Sequence, residues 1–141
     1  GRNAWVFRGS DGLDELTTTG NSDIWLVQGG EVRRFELNPL DFGLKLTSTD
    51  QLAGGDPQFN AQVTRSLFAG QRDGKLAAVR EVVALNAAGG LVAYSLDQAQ
   101  IRGQDDLNQA FGVAIELTLK AIDSGAAAEK LSRWTAASQA D

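Results

Sequence analysis

Short apolar runs separated by turn residues fill the first 46 residues, and this pattern predicts β-strands. The runs lie at residues 4–7, 24–27 and 31–37. Gly29 and Gly30 separate the last two runs, and two strand-like runs joined by a glycine pair predict a β-hairpin. Arg33 shares a face with Phe35 and Leu37, and this imperfect alternation favours an edge hairpin over a central strand.

From residue 56 onward the apolar positions recur with the period of an α-helix. Asp56 followed by Pro57 is a strong helix start, because the carboxylate caps free amides and proline fits the first turn. The apolar residues Phe59, Val63 and Leu67 then follow at a spacing of four. These three side chains are therefore expected on the buried face of the first long helix.

Three further helices are expected downstream. The first of these ends at the glycine pair 89–90, and residues 91–104 are expected to form a short helical stretch and then a loop. Asp105 and Asp106 are expected to cap the longest helix, and residues 126–137 to form the last one. The apolar face of the longest helix carries Leu107, Phe111, Ile115, Leu119 and Ile122.

The order of these elements, strands first and helices after, bears on the fold class. One short strand and one hairpin would make a poor sheet for four helices to cover. We therefore expect further strands upstream of Gly1, and the absence of methionine from the 141 residues agrees with that expectation. Segregated strands and helices would by themselves indicate an α+β domain. Residues 1–141 are expected to form a single partial domain that is β-rich over 1–46 and helical over 56–137.

Composition excludes several kinds of chemistry. The chain has no His and no Cys, which rules out a Ser-His-Asp triad, a thiolate nucleophile and disulfides within it. The absence of Cys also suits a reducing cytoplasm. With 13 basic and 18 acidic residues the net charge is −5, and neither half is basic, so we expect no nucleic-acid partner. The chain has no run of 18 apolar residues, and we expect neither a membrane-spanning segment nor a signal peptide.

The best candidate for chemistry is the acidic segment that follows the first strand, residues 9–15. Three carboxylates, those of Asp11, Asp14 and Glu15, lie within five residues, and Gly12 permits a non-extended backbone that could bring them together. Carboxylate oxygens suit a hard divalent cation such as Mg²⁺ that keeps several waters. The alternative is an acidic surface turn in which Asp11 and Gly12 only shape the backbone.

Other polar positions have simpler interpretations. Thr17–Thr19 could offer hydroxyls to phosphate, although three β-branched residues are more typical of a strand. Gly54 and Gly55 precede Asp56, whose cap would already satisfy the free amides. Asn86 on an apolar helix face is expected to be a satisfied buried amide. The three tryptophans are expected to pack in a core or an interface, and they are Trp5, Trp25 and Trp134.

Four blocks of the sequence resemble the C-terminal part of anthranilate phosphoribosyltransferases. They are Val-Phe-Arg-Gly-Ser-Asp-Gly-Leu-Asp-Glu-Leu-Thr at 6–17, Leu-Ala-Gly-Gly-Asp-Pro-Gln-Phe-Asn-Ala at 52–61, Ala-Leu-Asn-Ala-Ala at 84–88 and Ala-Ile-Asp-Ser-Gly-Ala at 121–126. The blocks occur in family order and cover nearly the whole chain. Pyrimidine nucleoside phosphorylases share the superfamily fold but match these blocks less well.

The resemblance implies a transferase of tryptophan biosynthesis. Enzymes of this family move the phosphoribosyl group of phosphoribosyl pyrophosphate to the amine of anthranilate and release pyrophosphate. The family fold implies a small helical domain, usually the dimer interface, beside a larger α/β domain, so the resemblance implies the α/β class for this chain. Residue by residue, the resemblance implies that Asp14 and Glu15 bind the Mg²⁺ that accompanies pyrophosphate. A metal offsets charge on such a leaving group, so no nucleophilic side chain is required.

Several family segments fall before the matching region. They are the glycine-rich pyrophosphate loop, a Lys-His-Gly-Asn segment and the Arg that contacts anthranilate. We therefore assign no catalytic residue to this chain, and we expect the isolated 141 residues to be inactive, as a fragment of a homodimeric cytoplasmic enzyme. Two alternatives stay open: a nucleic-acid-binding relative, which a pI near 4.7 disfavours, and a pyrimidine nucleoside phosphorylase.

Overall fold

The computed structural model describes residues 3–95 and 100–139. Its three strands form one antiparallel sheet in the order β1 (Ala4–Gly9), β2 (Ser22–Gln28) and β3 (Glu31–Leu37). Gly29 and Gly30 connect β2 to β3 with φ angles of 63° and 84°. Positive φ at both central residues is the geometry of a two-residue hairpin turn, so the predicted hairpin is confirmed.

The first strand lies at an edge of the sheet. β1 pairs with β2 along its whole length, from Ala4 opposite Val27 to Gly9 opposite Ser22, and its other edge has no neighbouring strand among the described residues. The acidic segment after β1 therefore joins two antiparallel neighbours in the sheet. It does not lie at the carboxyl edge of parallel strands within the described residues.

The helices follow the strands. After a 3₁₀ turn at Pro39–Phe42 they are α1 (Thr49–Leu52), α2 (Pro57–Phe68), α3 (Lys75–Ser95), α4 (Gln104–Asp123) and α5 (Ala126–Ser138). Asp56 caps α2 as predicted, since its Oδ1 accepts the Phe59 N–H at 2.8 Å. The expected buried face of α2 is only partly realised. Leu67 is buried, whereas Phe59 keeps 45% of its surface exposed, because α2 packs mainly through its carboxyl end.

The predicted stop at the glycine pair 89–90 is wrong. α3 continues through both glycines to Ser95 and, with 21 residues, is longer than α4 with 20. Gly89 is buried against β1, and its missing side chain permits a close approach that outweighs its low helix propensity. The predicted cap of α4 is also shifted, because Gly103 is the N-cap and both aspartates lie in the first turn. The expected short helical stretch and loop cover residues 91–104. In the structure α3 extends to Ser95, and residues 96–99 lie outside the described residues.

The core lies between one face of the sheet and the pair α3–α4. Phe111 at its centre is fully buried and meets the Trp5 ring edge-on, with ring centroids 6.3 Å apart. Trp134 is 70% exposed, so its expected packing role is not realised within this chain. The buried residues from the sheet and the two helices include Ile24, Leu26, Leu37, Leu85, Ala88, Leu107 and Ile115.

One described helix, α3, is long and apolar enough to cross a membrane, with a mean hydropathy of 1.5 over its best window. One third of that window is buried inside the protein. A core helix passes the same test of length and composition. The helix is therefore weak evidence for a membrane, and its contacts with α4 and the sheet are those of a core element.

Candidate functional site

The acidic segment lies in the connection from β1 to β2, residues 10–21, which we call the carboxylate loop. Its first turn is closed by two backbone hydrogen bonds, from the Gly9 N–H to the Leu13 oxygen at 2.9 Å and from the Gly12 N–H to the Gly9 oxygen at 3.0 Å. Gly12 has a φ of 91°, which L side chains rarely adopt. The loop therefore turns back sharply before it reaches Asp14.

Asp11 serves this turn and not an external ligand. Its two carboxylate oxygens accept the Leu13 N–H at 3.1 Å and the Thr19 hydroxyl at 3.0 Å. A Cβ on Gly9 would collide with the same carboxylate, so a larger residue there would displace the Asp11 side chain from this turn. Partial burial acts to raise the pKa of Asp11, but hydrogen bonds from Thr17, Leu13 and Thr19 together hold that pKa below its ordinary value of 3.8.

Asp14 and Glu15 form the exposed part of the carboxylate loop. Both side chains face solvent, and among the described residues neither carboxylate takes part in a hydrogen bond or an ion pair. Within the same residues no group of three or more potential metal-ligating side chains occurs. The Asp14 and Glu15 carboxylates are therefore available to a ligand, whereas the Asp11 carboxylate is engaged by hydrogen bonds within the loop.

Thr17–Thr19 do not form a strand, so that interpretation is wrong. Thr18 is fully buried, and its hydroxyl lies 2.8 Å from the Thr47 hydroxyl. The Thr17 N–H donates to the Ser22 hydroxyl at 3.0 Å. Because these residues lie outside the sheet, their polar groups have no strand partner, and these bonds satisfy them instead. The same bonds hold the second half of the carboxylate loop against the rest of the protein.

The first half of the carboxylate loop is tied to α3 by Asn86. The side-chain oxygen of Asn86 accepts the Leu16 N–H at 3.0 Å, and its amide nitrogen donates to the Leu16 oxygen at 2.7 Å and to the Val82 oxygen at 3.0 Å. The expected satisfied amide is confirmed. Sequence reasoning missed its partner, because Leu16 and Asn86 are 70 positions apart in the chain.

The second glycine-rich segment is occupied by its own side chains. Asn60 bonds both backbone groups of Gly55, accepting its N–H and donating to its oxygen, each at 2.9 Å. Asp56 caps the next helix. These hydrogen bonds therefore favour a structural role for this segment over a role in binding an anion.

The pair Asp14 and Glu15 has the chemistry of a hard-cation site. Mg²⁺ prefers oxygen ligands and is commonly held by one or two carboxylates, with waters and substrate phosphates completing its shell. Two adjacent exposed carboxylates without protein partners among the described residues match that donor set. The chain's residues thus fit a magnesium ion that is shared with a phosphorylated ligand.

Comparison with known proteins places this fold and loop in a class. Residues 1–128 match the model of the glycosyl transferase family, a/b domain, and the chain belongs to that family. It is 44% identical over 139 residues to the anthranilate phosphoribosyltransferase of Leifsonia xyli, and 46% identical over 140 residues to that of Streptomyces griseus. Each alignment covers 99% of this chain but only 39% and 37% of the relative.

Solved structures agree with this assignment. The anthranilate phosphoribosyltransferase of Thermus thermophilus superposes with a TM-score of 0.72 at 29% identity, over 95% of this chain and 35% of the other. That of Saccharomyces cerevisiae, in complex with PRPP and Mg, superposes with a TM-score of 0.74 at 21% identity, over 92% and 33%. The expected fold, part of a phosphoribosyltransferase α/β domain, is confirmed.

Proposed function

We propose that this chain is part of an anthranilate phosphoribosyltransferase, which transfers the phosphoribosyl group of phosphoribosyl pyrophosphate to the amine of anthranilate and releases pyrophosphate. The observation that carries the proposal is the identity of 44–46% to enzymes of that name over nearly the whole chain. Because the chain spans 37–39% of those relatives, the activity is proposed for a longer protein.

Asp14 and Glu15 are proposed to hold Mg²⁺ in that enzyme. Two features of the carboxylate loop support this role: both side chains are exposed, and Asp11 beside them is already engaged by Leu13 and Thr19. When bound, the ion would offset charge on the departing pyrophosphate. The chain's own contribution is to present two carboxyl groups from a loop whose turn and second half are fixed by hydrogen bonds.

The remaining proposals concern partners and location. The substrates named above are the partners, and the active protein is proposed to be a cytoplasmic homodimer. A net charge of −5 supports the absence of nucleic acid and anionic membrane from its partners. The burial of α3 against α4 and the sheet supports a protein that does not use this helix to enter a membrane.

The test is a double substitution in the full-length enzyme, Asp14→Asn with Glu15→Gln. We expect the Mg²⁺ concentration for half-maximal turnover to rise at least about tenfold, since both carboxyl groups are replaced by amides. A matched control, Asp73→Asn with Glu116→Gln, removes two exposed charges elsewhere and should leave the Mg²⁺ dependence unchanged. An unaltered Mg²⁺ dependence in the first variant would contradict the proposed metal role.

A further inference from the structure

Asn86 bridges the point at which the carboxylate loop returns to the protein interior. Its side chain bonds both the N–H and the oxygen of Leu16, the residue directly after Glu15. A third bond, to the Val82 oxygen one turn earlier on α3, holds the amide in a single orientation. Only an amide can accept and donate in this way, because a carboxylate lacks the donor and a hydroxyl cannot span both groups.

Gly89 continues the same contact one turn further along α3. Leu16 is 1% exposed, and a Cβ built on Gly89 would lie 3.1 Å from its Cδ1 and 3.1 Å from the Cζ of Phe7. The Leu16 side chain therefore packs on bare helix backbone, and a side chain at position 89 would push Leu16 and Phe7 away from α3. Amide and glycine together fix both the backbone and the side chain of Leu16.

Asp14 and Glu15 lie between two residues whose backbones are held by hydrogen bonds, Leu13 and Leu16. On one side the Leu13 oxygen accepts the Gly9 N–H, and on the other Asn86 holds Leu16. The rest of the carboxylate loop is held separately, through the bond from the Thr47 N–H to the Thr18 oxygen at 2.9 Å. Loss of Asn86 would thus release the acidic pair while the following threonines stay in place.

We propose that Asn86 is a positioning residue for the Asp14–Glu15 pair, holding the two carboxylates at the separation and direction that a shared divalent cation requires. This inference rests on the proposed function, since it takes the pair to be the metal ligands. Groups that hold metal ligands in place without touching the metal commonly change metal affinity by about 10–100-fold when removed. Asn86 would act in this way through the backbone of Leu16.

The test uses Asn86→Ala in the full-length enzyme, with Mn²⁺ and pyrophosphate as probes. We expect Mn²⁺ affinity, measured by electron paramagnetic resonance, to weaken on the order of tenfold. Turnover of Asn86→Ala should recover substantially at saturating Mg²⁺, because both carboxylates are still present. This recovery distinguishes the variant from Asp14→Asn with Glu15→Gln, which lacks them. Hydrogen exchange of the Leu16 amide should also accelerate, because its acceptor is gone.

Two further variants keep the result decisive. Thr118→Val removes a buried hydroxyl that donates to the Ala84 oxygen of α3 at 3.1 Å, so it perturbs the same helix without touching Leu16. It should leave Mn²⁺ affinity unchanged. Should Asn86→Ala fail to fold, Asn86→Asp retains the acceptor for Leu16 but loses the donor, and weaker Mn²⁺ binding is expected there too.

The outcomes separate the two proposals. If Asn86→Ala or Asn86→Asp binds Mn²⁺ as the parent enzyme does, while Asp14→Asn with Glu15→Gln binds it weakly, the positioning role is wrong and the metal site stands. If the double variant itself keeps the parent's Mn²⁺ affinity, the metal site is wrong and the role of Asn86 is overturned with it. An equal loss of affinity in Thr118→Val would also overturn the positioning role.

Discussion

At the scale of single residues, neighbouring carboxylates of the carboxylate loop have different roles because their surroundings differ. Asp11 turns back into the loop and accepts bonds from Leu13 and Thr19, whereas Asp14 and Glu15 face solvent. Hydrogen bonds to the ionised form lower the pKa of a carboxyl group and make its charge part of the folded structure. Asp11 is thus a structural carboxylate, and the pair beyond it is left available for a ligand.

This difference predicts a pH dependence. Because the pKa of Asp11 is lower in the folded state, its stabilising contribution is present above 3.8 and is lost as the pH falls through the folded-state pKa. Thr19→Val removes one of the bonds to the ionised form, so we expect the pKa of Asp11 to move back toward 3.8. Carbon-13 shifts of the Asp11 carboxyl, followed in a pH titration, measure this change.

The control for that titration is Thr64→Val. The Thr64 hydroxyl donates to the Asn60 oxygen within α2, far along the chain from Asp11. This substitution also removes one hydroxyl hydrogen bond, and the Asp11 titration should stay as in the parent protein. If Thr19→Val leaves the pKa of Asp11 where it was, the hydroxyl does not contribute to the shift.

At the scale of elements, α3 organises the molecule because two of its faces are used. One face packs on α4, and another supports β1 and the carboxylate loop through Asn86 and Gly89. A helix with contacts on several sides needs no single apolar stripe. The contacts on several sides explain why α3 continues past the glycine pair 89–90, where the sequence pattern predicted that the helix would end.

The two glycines of α3 provide a matched prediction. Gly90→Ala meets open space, so the better helix former should raise the free energy of unfolding by about 0.5–1 kcal/mol. Gly89→Ala places a methyl group 3.1 Å from both Leu16 and Phe7, and overpacking of this kind costs about 1–3 kcal/mol. Urea denaturation of both variants under the same conditions measures the difference.

The opposite signs make that comparison informative. A gain in stability for Gly89→Ala as large as that for Gly90→Ala would mean that β1 and Leu16 move away from α3 without cost. The close approach of α3 to the carboxylate loop would then be loose, and the anchoring of Leu16 would depend on Asn86 alone.

At the scale of the whole molecule, the chain carries one candidate site and a large apolar surface. Leu91, Tyr94, Val113 and Leu117 are each more than 40% exposed and line a groove of about 540 Å³ between α3 and α4. The same chain spans 37–39% of its curated relatives. If the proposed function holds, the groups that bind the two proposed substrates are therefore not all expected among its residues.

We accordingly predict that the purified 141-residue chain does not form phosphoribosylanthranilate. The chain offers the Asp14–Glu15 pair, and the family resemblance implies that the segments for pyrophosphate and anthranilate precede it. The measurement is product fluorescence with both substrates and Mg²⁺, with the full-length enzyme at equal concentration as the positive control. Product formation above background by the pure chain would contradict the prediction.

Local chemistry determined much of this protein. The glycine pair 29–30 specifies its hairpin turn, Asp56 before Pro57 specifies the start of α2, and the blocks around residues 6–17 identify the family. Each of these signals lies within a few residues, where backbone stereochemistry and capping act directly. Alternation also grouped Arg33, Phe35 and Leu37 on one face of β3, because side chains of a strand alternate, and the structure buries that face at Phe35 and Leu37.

Tertiary structure alone decided the contacts between distant segments. The pairing of β1 with β2, the approach of Leu16 and Phe7 to Gly89, and the bond between Asn86 and Leu16 all join separate segments of the chain. Glycine stops an isolated helix, yet it is favoured where a strand and a loop must approach the helix backbone. Long-range packing thus outweighed local propensity at the point where the carboxylate loop is held.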